Sequence, residues 1–574
     1  MRTTFGSLEI FKNSVRHFFL AAITSLLFGI AIWRVLDLSY INREKYYKTL
    51  EKVRLSITTI PARRGAILDR NFETLALDET KIILGVDPFV ADPDGDLKKI
   101  YDLAEFLEMD VEDVLKNFAK RRAIVDGAVK KIRWVPICEI DSESLYSAVK
   151  SMGIRGVYGV KNRGRTYPFG RAMAHVVGFV NRENVPVCGV ERYMDFYLRG
   201  QDGYIESEKD GSARELVQYR KKELPIKNGN DVVLTIDKNI QWIAYDEAEN
   251  LVKNFSPRLV SIIVSEATTG DILALVNYPN YDPNSYWEFP VESMQNLAVC
   301  NVYEPASVFK IVVTSFALEY GLANEGTVFD CTQATLVHRG KKITIPRDHT
   351  PFDKLTLVDA VRKSSNRAVA QLAVQIGEQG FYKCVKEYGF GEKAGYGFDG
   401  ESAGILFPVS KWDGLTVTRM AMGHAIGVVP MQVHGAMSVI ANGGILLKPN
   451  LFKCVMDGNV EILSMKPVIK RRVISPQTAV RMRKILHNPQ SGKLANGIEF
   501  AGKTGTGQKI IDGQYSHTRH TSSYSGFFPA DAPRIVITVV VDDAKVGSGI
   551  AWGSVVSLPV FKNMAERIAQ HLDL

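Results

Sequence analysis

The stretch LVSIIVSEATTGDILALVN (Leu259–Asn277) decides the fold of the larger part of this chain. Two runs rich in β-branched and apolar residues flank Thr268-Thr269-Gly270, so the stretch predicts two antiparallel strands joined by a hairpin turn. Further strand-like segments come only near the C-terminus, and they are IEFAGKTGT (498–506), SSYSGFFPA (522–530) and RIVITVVVDD (534–543). A mostly helical region lies between the two groups. This order predicts an α+β domain whose first and last strands pair into one antiparallel sheet.

The N-terminal part contains one segment that does not fit a soluble domain. The run FFLAAITSLLFGIAIW (18–33) has no charge and apolar residues continue to Leu38, which approaches the ~20 residues that a membrane helix needs. A cleaved signal peptide and a buried core helix are the alternatives, but no small-residue cleavage site follows the run. Basic residues precede it. The sequence therefore predicts a cytoplasmic tail at 1–16 and an uncleaved transmembrane anchor at 17–38.

Composition is that of an ordinary globular protein with more than one domain. Of the 574 residues, 46% are hydrophobic and 23% charged, so the chain can bury more than one core. The net charge of +8 is spread along the chain, and we expect no nucleic-acid partner. The six cysteines lie far apart without a CxxC or Cys/His cluster, so no metal or other cofactor is expected. We expect the cysteines to be buried free thiols or, if the protein is exported, to form one or two disulfides.

A domain boundary is predicted near KNGNDVVLTIDKNIQ (Lys227–Gln241), where glycine and asparagine interrupt the chain before a new strand-then-helix pattern. The boundary separates an N-terminal domain at 39–230 from a C-terminal domain at 231–574. Inside the first domain, apolar residues at helical spacing between Ile100 and Phe118 predict a helical stretch.

The first candidate for chemistry lies in CNVYEPASVFKIVV (Cys300–Val313). Ser307 and Lys310 are three residues apart and would share one helix face, with Pro305 in the first turn. A first-turn serine has an unpaired backbone N–H that suits an oxyanion, and burial in this apolar helix would lower the pKa of the lysine toward that of a base. The spacing alone decides nothing, because the exposed-looking Ser147-Ala-Val-Lys150 shares it. Taken alone, Ser307 is an ordinary helix-start serine.

Two further triplets change this interpretation. Ser364-Ser365-Asn366 is an S-x-N triplet, and Lys503-Thr504-Gly505 is a K-T-G triplet. Each has an ordinary explanation, the first as a polar cluster at a helix start and the second as a strand end followed by glycine. Their order after S-x-x-K, in a helix start, an interhelical stretch and a strand, is the signature of penicillin-binding proteins and class A β-lactamases.

On these residues the sequence resembles a class B penicillin-binding protein, most of all the division-specific type. The likeness covers nearly the whole chain, and besides the anchor and the three motifs it includes RRGAILDRN (63–71), RTYPFGRAMAHVVGFV (165–180), GVERYMDFYLRGQDG (189–203), LTIDKNIQ, YPNYDPN and GFFPADAPRIVITVVVDD. The resemblance implies the penicillin-binding-protein transpeptidase fold, an antiparallel five-stranded sheet with helices on both faces. It also implies an extended mixed α/β pedestal without catalytic motifs and one transmembrane helix.

The implied function is that of a membrane-anchored peptidoglycan D,D-transpeptidase that crosslinks stem peptides in septal cell-wall synthesis. By the resemblance Ser307 would attack the penultimate D-Ala carbonyl and form an acyl-enzyme, with Lys310 accepting its proton. Ser364 would relay a proton to the leaving amine. Asn366 would hold the lysine and the substrate amide, and Lys503 would set the electrostatics around Ser364.

The resemblance also implies how the substrate is held and which partners the enzyme has. Thr504, Gly505 and Thr506 would bind the substrate, with the terminal carboxylate on the two threonines and the oxyanion on the N–H groups of Ser307 and Thr506. β-Lactams would inhibit the enzyme. A SEDS-family lipid II polymerase and other divisome proteins would be partners, and the catalytic domain would lie on the periplasmic or extracytoplasmic side of the inner membrane.

Several positions depart from the usual family pattern. Ala306 and Phe72 stand where glycine is usual, Arg367 where a small apolar residue is usual, Glu266 in place of aspartate, and Gly507 where alanine is common. None of these changes removes a reacting group, although Arg367 puts the substrate preference in doubt.

The sequence also predicts a set of charged residues in the pedestal, and it leaves three other functions open. Arg64, Asp69, Arg70 and Glu191 resemble a structural ion-pair set of the pedestal. An elongation-type transpeptidase, a β-lactamase or D,D-carboxypeptidase, and an inactive scaffold or β-lactam sensor all stay open as functions. Release of the acyl group to water would distinguish the second, and failure to bind penicillin would identify a scaffold.

Overall fold

The structure is a computed structural model that describes residues 4–574 except 126–127, 141, 211–214, 221, 399 and 548. The described residues form two compact units, one made of the chain up to Arg63 with Gly200–Asn228, the other of Arg64–Arg199 with Gly229–Leu574. Their α-helices are α1 Thr4–Leu36, α2 Arg43–Arg54, α3 Leu97–Phe106, α4 Val111–Ala119, α5 Glu143–Ser151, α6 Ala174–Val177, α7 Gly189–Tyr193, α8 Asp195–Leu198, α9 Lys238–Phe255, α10 Leu297–Cys300, α11 Lys310–Glu319, α12 Leu357–Arg362, α13 Asn366–Ile376, α14 Glu378–Glu387, α15 Thr416–Ala421, α16 Pro430–Ala441, α17 Pro476–Leu486 and α18 Gly553–His571.

The strands, in chain order, are β1 Leu55–Ile60, β2 Ile67–Leu68, β3 Thr74–Val86, β4 Arg122–Val125, β5 Ala128–Lys131, β6 Val135–Ile140, β7 Val157–Thr166, β8 Phe179–Val180, β9 Pro186–Cys188, β10 Gly203–Lys209, β11 Glu215–Leu216, β12 Lys222–Leu224, β13 Asp231–Leu234, β14 Leu259–Glu266, β15 Ile272–Tyr278, β16 Val328–Asp330, β17 Thr335–His338, β18 Lys341–Thr344, β19 Lys354–Thr356, β20 Ile445–Leu447, β21 Phe452–Asp457, β22 Val460–Ser464, β23 Ile469–Arg472, β24 Ala501–Ile511, β25 Gln514–Phe528 and β26 Ile535–Asp542.

The predicted pairing of the first and last strands is confirmed. The five-stranded sheet has the order β15-β14-β26-β25-β24, and all its neighbours are antiparallel. The hairpin turn between β14 and β15 includes Gly270, whose φ of +74° is the left-handed conformation that glycine adopts without strain. This order leaves β24, the strand with the K-T-G triplet, at one edge of the sheet.

Helices cover both faces of this sheet, as predicted. Alternate residues of the central strands point to opposite faces, so Val539 and Val541 pack with α9 and α18 while Val536 packs with the helical region that includes α16. On the second face the buried helix α11, which follows Ser307, packs with α13 and α14. The serine and the S-x-N triplet therefore come from the helical layer, and the K-T-G triplet comes from the sheet.

The helical stretch predicted between Ile100 and Phe118 is confirmed. It is divided into two helices, α3 and α4, because Asp110 adopts an extended conformation and accepts a hydrogen bond from the N–H of Glu112 as an N-cap. The short strand β13 pairs with β2 on one side and β21 on the other, so one sheet joins segments from both predicted domains.

The predicted ion-pair set is correct for two of its members. The Arg64 Nε donates to Glu191 at 2.6 Å, and Arg165, which the sequence did not indicate, donates to the same carboxylate at 2.7 Å. Glu191 and Arg165 are both buried. Asp69 instead accepts backbone N–H groups, including that of Glu73 at 2.9 Å. Arg70 has no ion pair among the described residues, and its backbone N–H donates to the carbonyl oxygen of Ile236 at 2.8 Å.

One segment of the described chain is long and apolar enough to cross a membrane. It runs from Val15 to Ile41, has 27 residues and a mean hydropathy of 2.0, and contains the predicted anchor at 17–38. At 1.5 Å per residue a helix of this length spans about 40 Å, more than the ~30 Å of a bilayer core. All six cysteines are free.

Candidate active site

Ser307 lies in a single 3-10 turn, Ala306–Phe309, that runs directly into α11. Ala306 has a φ of +50°, a left-handed conformation that costs a residue with a side chain about 1–2 kcal/mol. The N–H of Ala306 donates to the carbonyl of Gly423 at 3.1 Å, and a Cβ on Gly423 would lie 2.1 Å from the carbonyl oxygen of Ala306. Tertiary contact with a glycine therefore holds the strained turn that presents the serine.

The K-T-G triplet lies on β24 beside this turn. A Cβ at Gly505 would lie 2.9 Å from the carbonyl oxygen of Pro305, so only glycine lets the strand approach the backbone of the turn. Side chains alternate along the strand: Lys503 and Gly505 are buried, whereas Thr504 and Thr506 are partly exposed and line an open cleft.

Two lysines meet at one serine hydroxyl. The Nζ of Lys310 donates to the carbonyl oxygen of Ser364 at 2.5 Å, to its Oγ at 3.1 Å and to Asn366 Oδ1 at 2.8 Å. The Nζ of Lys503 donates to the same Oγ at 3.1 Å. The chain thus joins residues more than a hundred positions apart into one hydrogen-bonded row, Lys310–Ser364–Lys503, along which a proton can pass.

Burial controls the charge of both amines. Lys310 is fully buried, and desolvation, followed by repulsion from Lys503, lowers its pKa well below the usual value, although Asp348 opposes the shift. Desolvation also lowers the pKa of Lys503, from 10.5 to about 8. The neutral form of Lys310 is therefore more accessible than that of an exposed lysine, and a neutral amine has the lone pair that a general base requires.

Asp348 positions the S-x-N triplet, and sequence reasoning missed it. Its carboxylate accepts from the Ser365 hydroxyl at 2.9 Å, from the N–H of Arg367 at 3.1 Å and from the N–H of Asn366. These bonds cap the N-terminus of α13 and fix Ser364, which has a φ of +60°. No sequence signal pointed to Asp348, because its loop position has no fixed spacing to the triplet.

The predicted residues enclose one cleft of about 460 Å³, whose lining includes Ser307, Ser364, Asn366, Thr504 and Thr506. Lys310 lies buried behind it. The Oγ1 of Thr506 accepts a hydrogen bond from the N–H of Gly553 at 2.9 Å, so its own O–H remains available to donate to a ligand.

Aromatic and imidazole side chains form parts of the cleft that the sequence did not indicate. His349 packs against Trp552 with ring centroids 4.6 Å apart, and both residues line the cleft with His424 and His520. His349, His424 and Trp552 come from loops, whereas His520 lies on β25. A search for rings in loops next to the three motifs is the only sequence signal that would have found them.

Two of the family departures, Ala306 and Gly507, lie next to each other. A Cβ at Gly507 would lie 3.4 Å from the Cβ of Ala306, an ordinary contact, and 3.2 Å from the carbonyl oxygen of Glu304, a tighter one. A side chain at 507 would therefore be limited mainly by the backbone of Glu304. Phe72, the other residue at a usual glycine position, has a φ of +66°.

Arg367 does not line the cleft. Its Nη1 donates to the carbonyl oxygens of Cys331 at 2.6 Å and Thr332 at 2.9 Å. The guanidinium group therefore ties α13 to a neighbouring loop, and an effect on substrate preference stays a prediction.

The geometry and the comparisons with known proteins agree. The family model described as the penicillin binding protein transpeptidase domain matches residues 260–566, more than half of the chain. The chain belongs to this family. A second model, for the penicillin-binding protein dimerisation domain, matches residues 59–234 of this penicillin-binding protein.

Named relatives and solved structures cover most of this penicillin-binding protein. Stage V sporulation protein D of Bacillus subtilis is 30% identical over 555 residues, 94% of this chain and 84% of that protein. Peptidoglycan D,D-transpeptidase FtsI of Escherichia coli is 26% identical, over 92% of this chain and 87% of that protein. Penicillin binding protein 2X from Streptococcus thermophilus has a TM-score of 0.70 at 21% identity, covering 90% of this chain and 80% of that chain.

A further solved structure, penicillin binding protein 3 from Mycobacterium tuberculosis in complex with aztreonam, has a TM-score of 0.65 at 24% identity, covering 90% of this chain and 98% of that chain. These two structures support the fold alone. The family match and the named relatives confirm three predictions. The chain is a class B penicillin-binding protein, it has the α+β fold, and it is a serine-type D,D-transpeptidase of peptidoglycan synthesis. The roles of individual residues stay predictions.

Proposed function

We propose that Ser307 is the nucleophile of this transpeptidase and that Lys310 is its base. The observation that carries the proposal is the row Lys310–Ser364–Lys503, in which a fully buried amine of lowered pKa contacts a hydroxyl shared with a second amine. The exposed pair Ser147 and Lys150 has the same spacing in α5 but neither burial nor such a network among its contacts.

In the acylation step, neutral Lys310 takes the hydroxyl proton of Ser307. At the same time the Oγ of Ser307 forms a bond to the carbonyl carbon of the penultimate D-Ala. The N–H groups of Ser307 and Thr506 hold the resulting oxyanion. The intermediate then expels the terminal D-Ala as its C–N bond breaks. A proton from Lys310 reaches the leaving amine through the Ser364 hydroxyl, so the base is neutral again for the second step.

In the transfer step, an amine of a neighbouring stem peptide attacks the acyl-enzyme and loses its proton by the reverse route, which releases Ser307. Asn366 holds Lys310 through its Oδ1 and is placed to contact the substrate amide. Thr504 and Thr506 bind the terminal carboxylate, with Gly505 letting the strand lie close to the serine. Charge on Lys503 favours both the carboxylate and the ionised intermediates.

The order of segments follows from the same proposal. Residues 1–16 are a cytoplasmic tail, 17–38 a single-pass anchor in the inner membrane, 39–230 a non-catalytic pedestal and 231–574 the transpeptidase domain on the extracytoplasmic side. The apolar segment Val15–Ile41 and the basic residues before it support this orientation. External protease added to spheroplasts should digest the large domain and leave an N-terminal tag intact; protection of the large domain would reverse the orientation.

We also propose a septal role, inhibition by β-lactams, and partnership with a SEDS-family polymerase and divisome proteins. Relatives that include FtsI and stage V sporulation protein D support the septal role. A fluorescently tagged copy should concentrate at midcell, and the polymerase should co-purify with it. Tagged protein spread along the side wall would favour the elongation type.

Labelling with fluorescent penicillin tests the catalytic assignment. The full-length protein in detergent should keep a covalent label on a denaturing gel, Ser307→Ala should lose it, and Ser147→Ala, the matched control with the same S-x-x-K spacing, should keep it. Fast loss of label would indicate a β-lactamase. Absence of label from folded protein would indicate an inactive scaffold.

A further inference from the structure

Glu304 stands three residues before Ser307, and its largely buried carboxylate contacts two other parts of the chain. One oxygen lies 2.7 Å from His424 Nδ1, and the other accepts the N–H of Ala425 at 2.9 Å. The hydroxyl of Tyr515 donates to the same carboxylate at 3.3 Å. None of these residues belongs to the three motifs.

The contacts join the two walls of the cleft. His424 and Ala425 directly follow Gly423, the glycine that supports the strained Ala306. Tyr515 lies on β25 and pairs with Ile510 in the hairpin that extends the K-T-G strand β24. The rings of His424 and Tyr515 also pack edge to face, 5.5 Å apart. One carboxylate therefore connects the serine turn, its supporting loop and the outer hairpin.

The outer part of β24 lies at the edge of the sheet, where β25 is its only neighbour among the described strands. The backbone of β24 meets the serine turn at Gly505 and Gly507. A cavity of about 450 Å³ lies between Gly507–Ile510 on the strand side and Val302–Glu304 on the turn side. Lys509 pairs with Asp542 of the sheet, at 2.6 Å, rather than across this cavity. Glu304 lines this cavity, and the bond that it accepts from Tyr515 links the hairpin directly to the turn.

Tyr515 stays a hydrogen-bond donor under ordinary conditions. Burial and the charge of Glu304 raise the pKa of Tyr515 to about 12, so the phenol keeps its proton through neutral and moderately alkaline pH. A hydrogen bond from a phenol to a carboxylate is charge-assisted, but at 3.3 Å this bond is long and its contribution is modest.

We propose that Glu304 is a positioning residue for the acylation step: through Ala425 and Tyr515 it sets the distance between the Ser307 turn and β24. The proposal rests on the function proposed above. The two proposed donors of the oxyanion hole are the N–H groups of Ser307 and Thr506. Ser307 lies on the turn and Thr506 on β24, and the carboxylate joins this turn to the hairpin that includes β24. A change of about 1 Å between them weakens the oxyanion bonds, and such bonds act on the transition state more than on the ground state.

The test measures fluorescent-penicillin acylation of the full-length protein as a function of penicillin concentration. It separates the maximal rate constant of acylation from the half-saturating concentration. Glu304→Ala should lower the rate constant about tenfold or more, and Tyr515→Phe about threefold, with little change in half-saturation. Glu304→Gln, whose amide oxygen still accepts from Ala425, should recover most of the rate constant.

Glu325→Ala is the matched control, because Glu325 pairs with Arg481 at 2.7 Å and lines neither cavity. It should leave the rate constant unchanged. A purely structural role would lower the melting temperature or the labelled fraction of Glu304→Ala without lowering the rate constant of the folded fraction, and that result overturns the proposal. If Glu304→Ala does not fold, an unchanged rate constant in Tyr515→Phe overturns it instead. Failure of the unaltered protein to label would refute the proposed function.

Discussion

Replacing Lys503 by methionine should stabilise the fold at neutral pH while it impairs acylation. Burial holds the pKa of Lys503 at about 8, against 10.5 for the free side chain. Each unit of pKa difference corresponds to about 1.4 kcal/mol, so the buried charge costs the folded protein roughly 3 kcal/mol. Methionine fills a similar volume without this cost. The lost hydrogen bond to Ser364 offsets about 1 kcal/mol of this. The free energy of unfolding should therefore rise by roughly 2 kcal/mol in Lys503→Met.

The sign of the pH dependence follows from the direction of the pKa shift. Between about pH 8 and 10.5 the unfolded chain holds a proton on Lys503 that the folded chain has released. The stability of the unaltered protein should therefore rise with pH across this window, relative to Lys503→Met, and the advantage of the variant should shrink. Below pH 8 both states hold the proton, so the difference between the two proteins should be constant.

The pH dependence of acylation should also depend on the charge of Lys503. Lys503 is a cause of the lowered pKa of Lys310, so removing it should raise that pKa and leave less neutral base at pH 7. The residual acylation of Lys503→Met should have its acidic limb at higher pH than that of the unaltered protein. Urea unfolding at pH 7, 8, 9 and 10 and penicillin labelling from pH 5 to 10 measure both effects. A constant stability difference, or an acidic limb at unchanged or lower pH, would refute the reasoning.

Two other substitutions test the support of the site and of the N-terminal domain. Gly423→Ala places a Cβ 2.1 Å from the carbonyl oxygen of Ala306, so penicillin labelling should fall at least tenfold. The control Gly443→Ala changes a glycine with a similar positive φ that lies in open space. It should lower the free energy of unfolding by only about 1 kcal/mol and keep its labelling. Equal labelling of the two variants would contradict this account. Arg165→Met leaves the buried carboxylate of Glu191 with one ion pair fewer and should lower the free energy of unfolding by about 3–5 kcal/mol in urea denaturation. A loss below 1 kcal/mol would contradict the importance of this buried ion pair.

The sequence by itself determined the class of sheet, the reaction and the chemical groups of the site. The segments at 259–277 and 498–543 could be predicted as strands because a run of β-branched and apolar residues is a local property, and the order of these segments predicted that the two ends pair. Likewise the order of the three motifs identified the family, since those side chains are the ones that we propose to react. Between Ile100 and Phe118 the apolar spacing predicted the helical stretch but not its division into α3 and α4, where Asp110 is an N-cap.

Only the tertiary structure decided what makes those groups reactive. The lowered pKa of Lys310 depends on complete burial and on Lys503, which is distant in sequence. Asp348, Gly423 and Glu304 support the site from loops, and a loop residue has no periodicity by which a sequence pattern could reveal its contacts. Desolvation and hydrogen-bond geometry arise from packing between separate segments, so they exist only after the chain has folded.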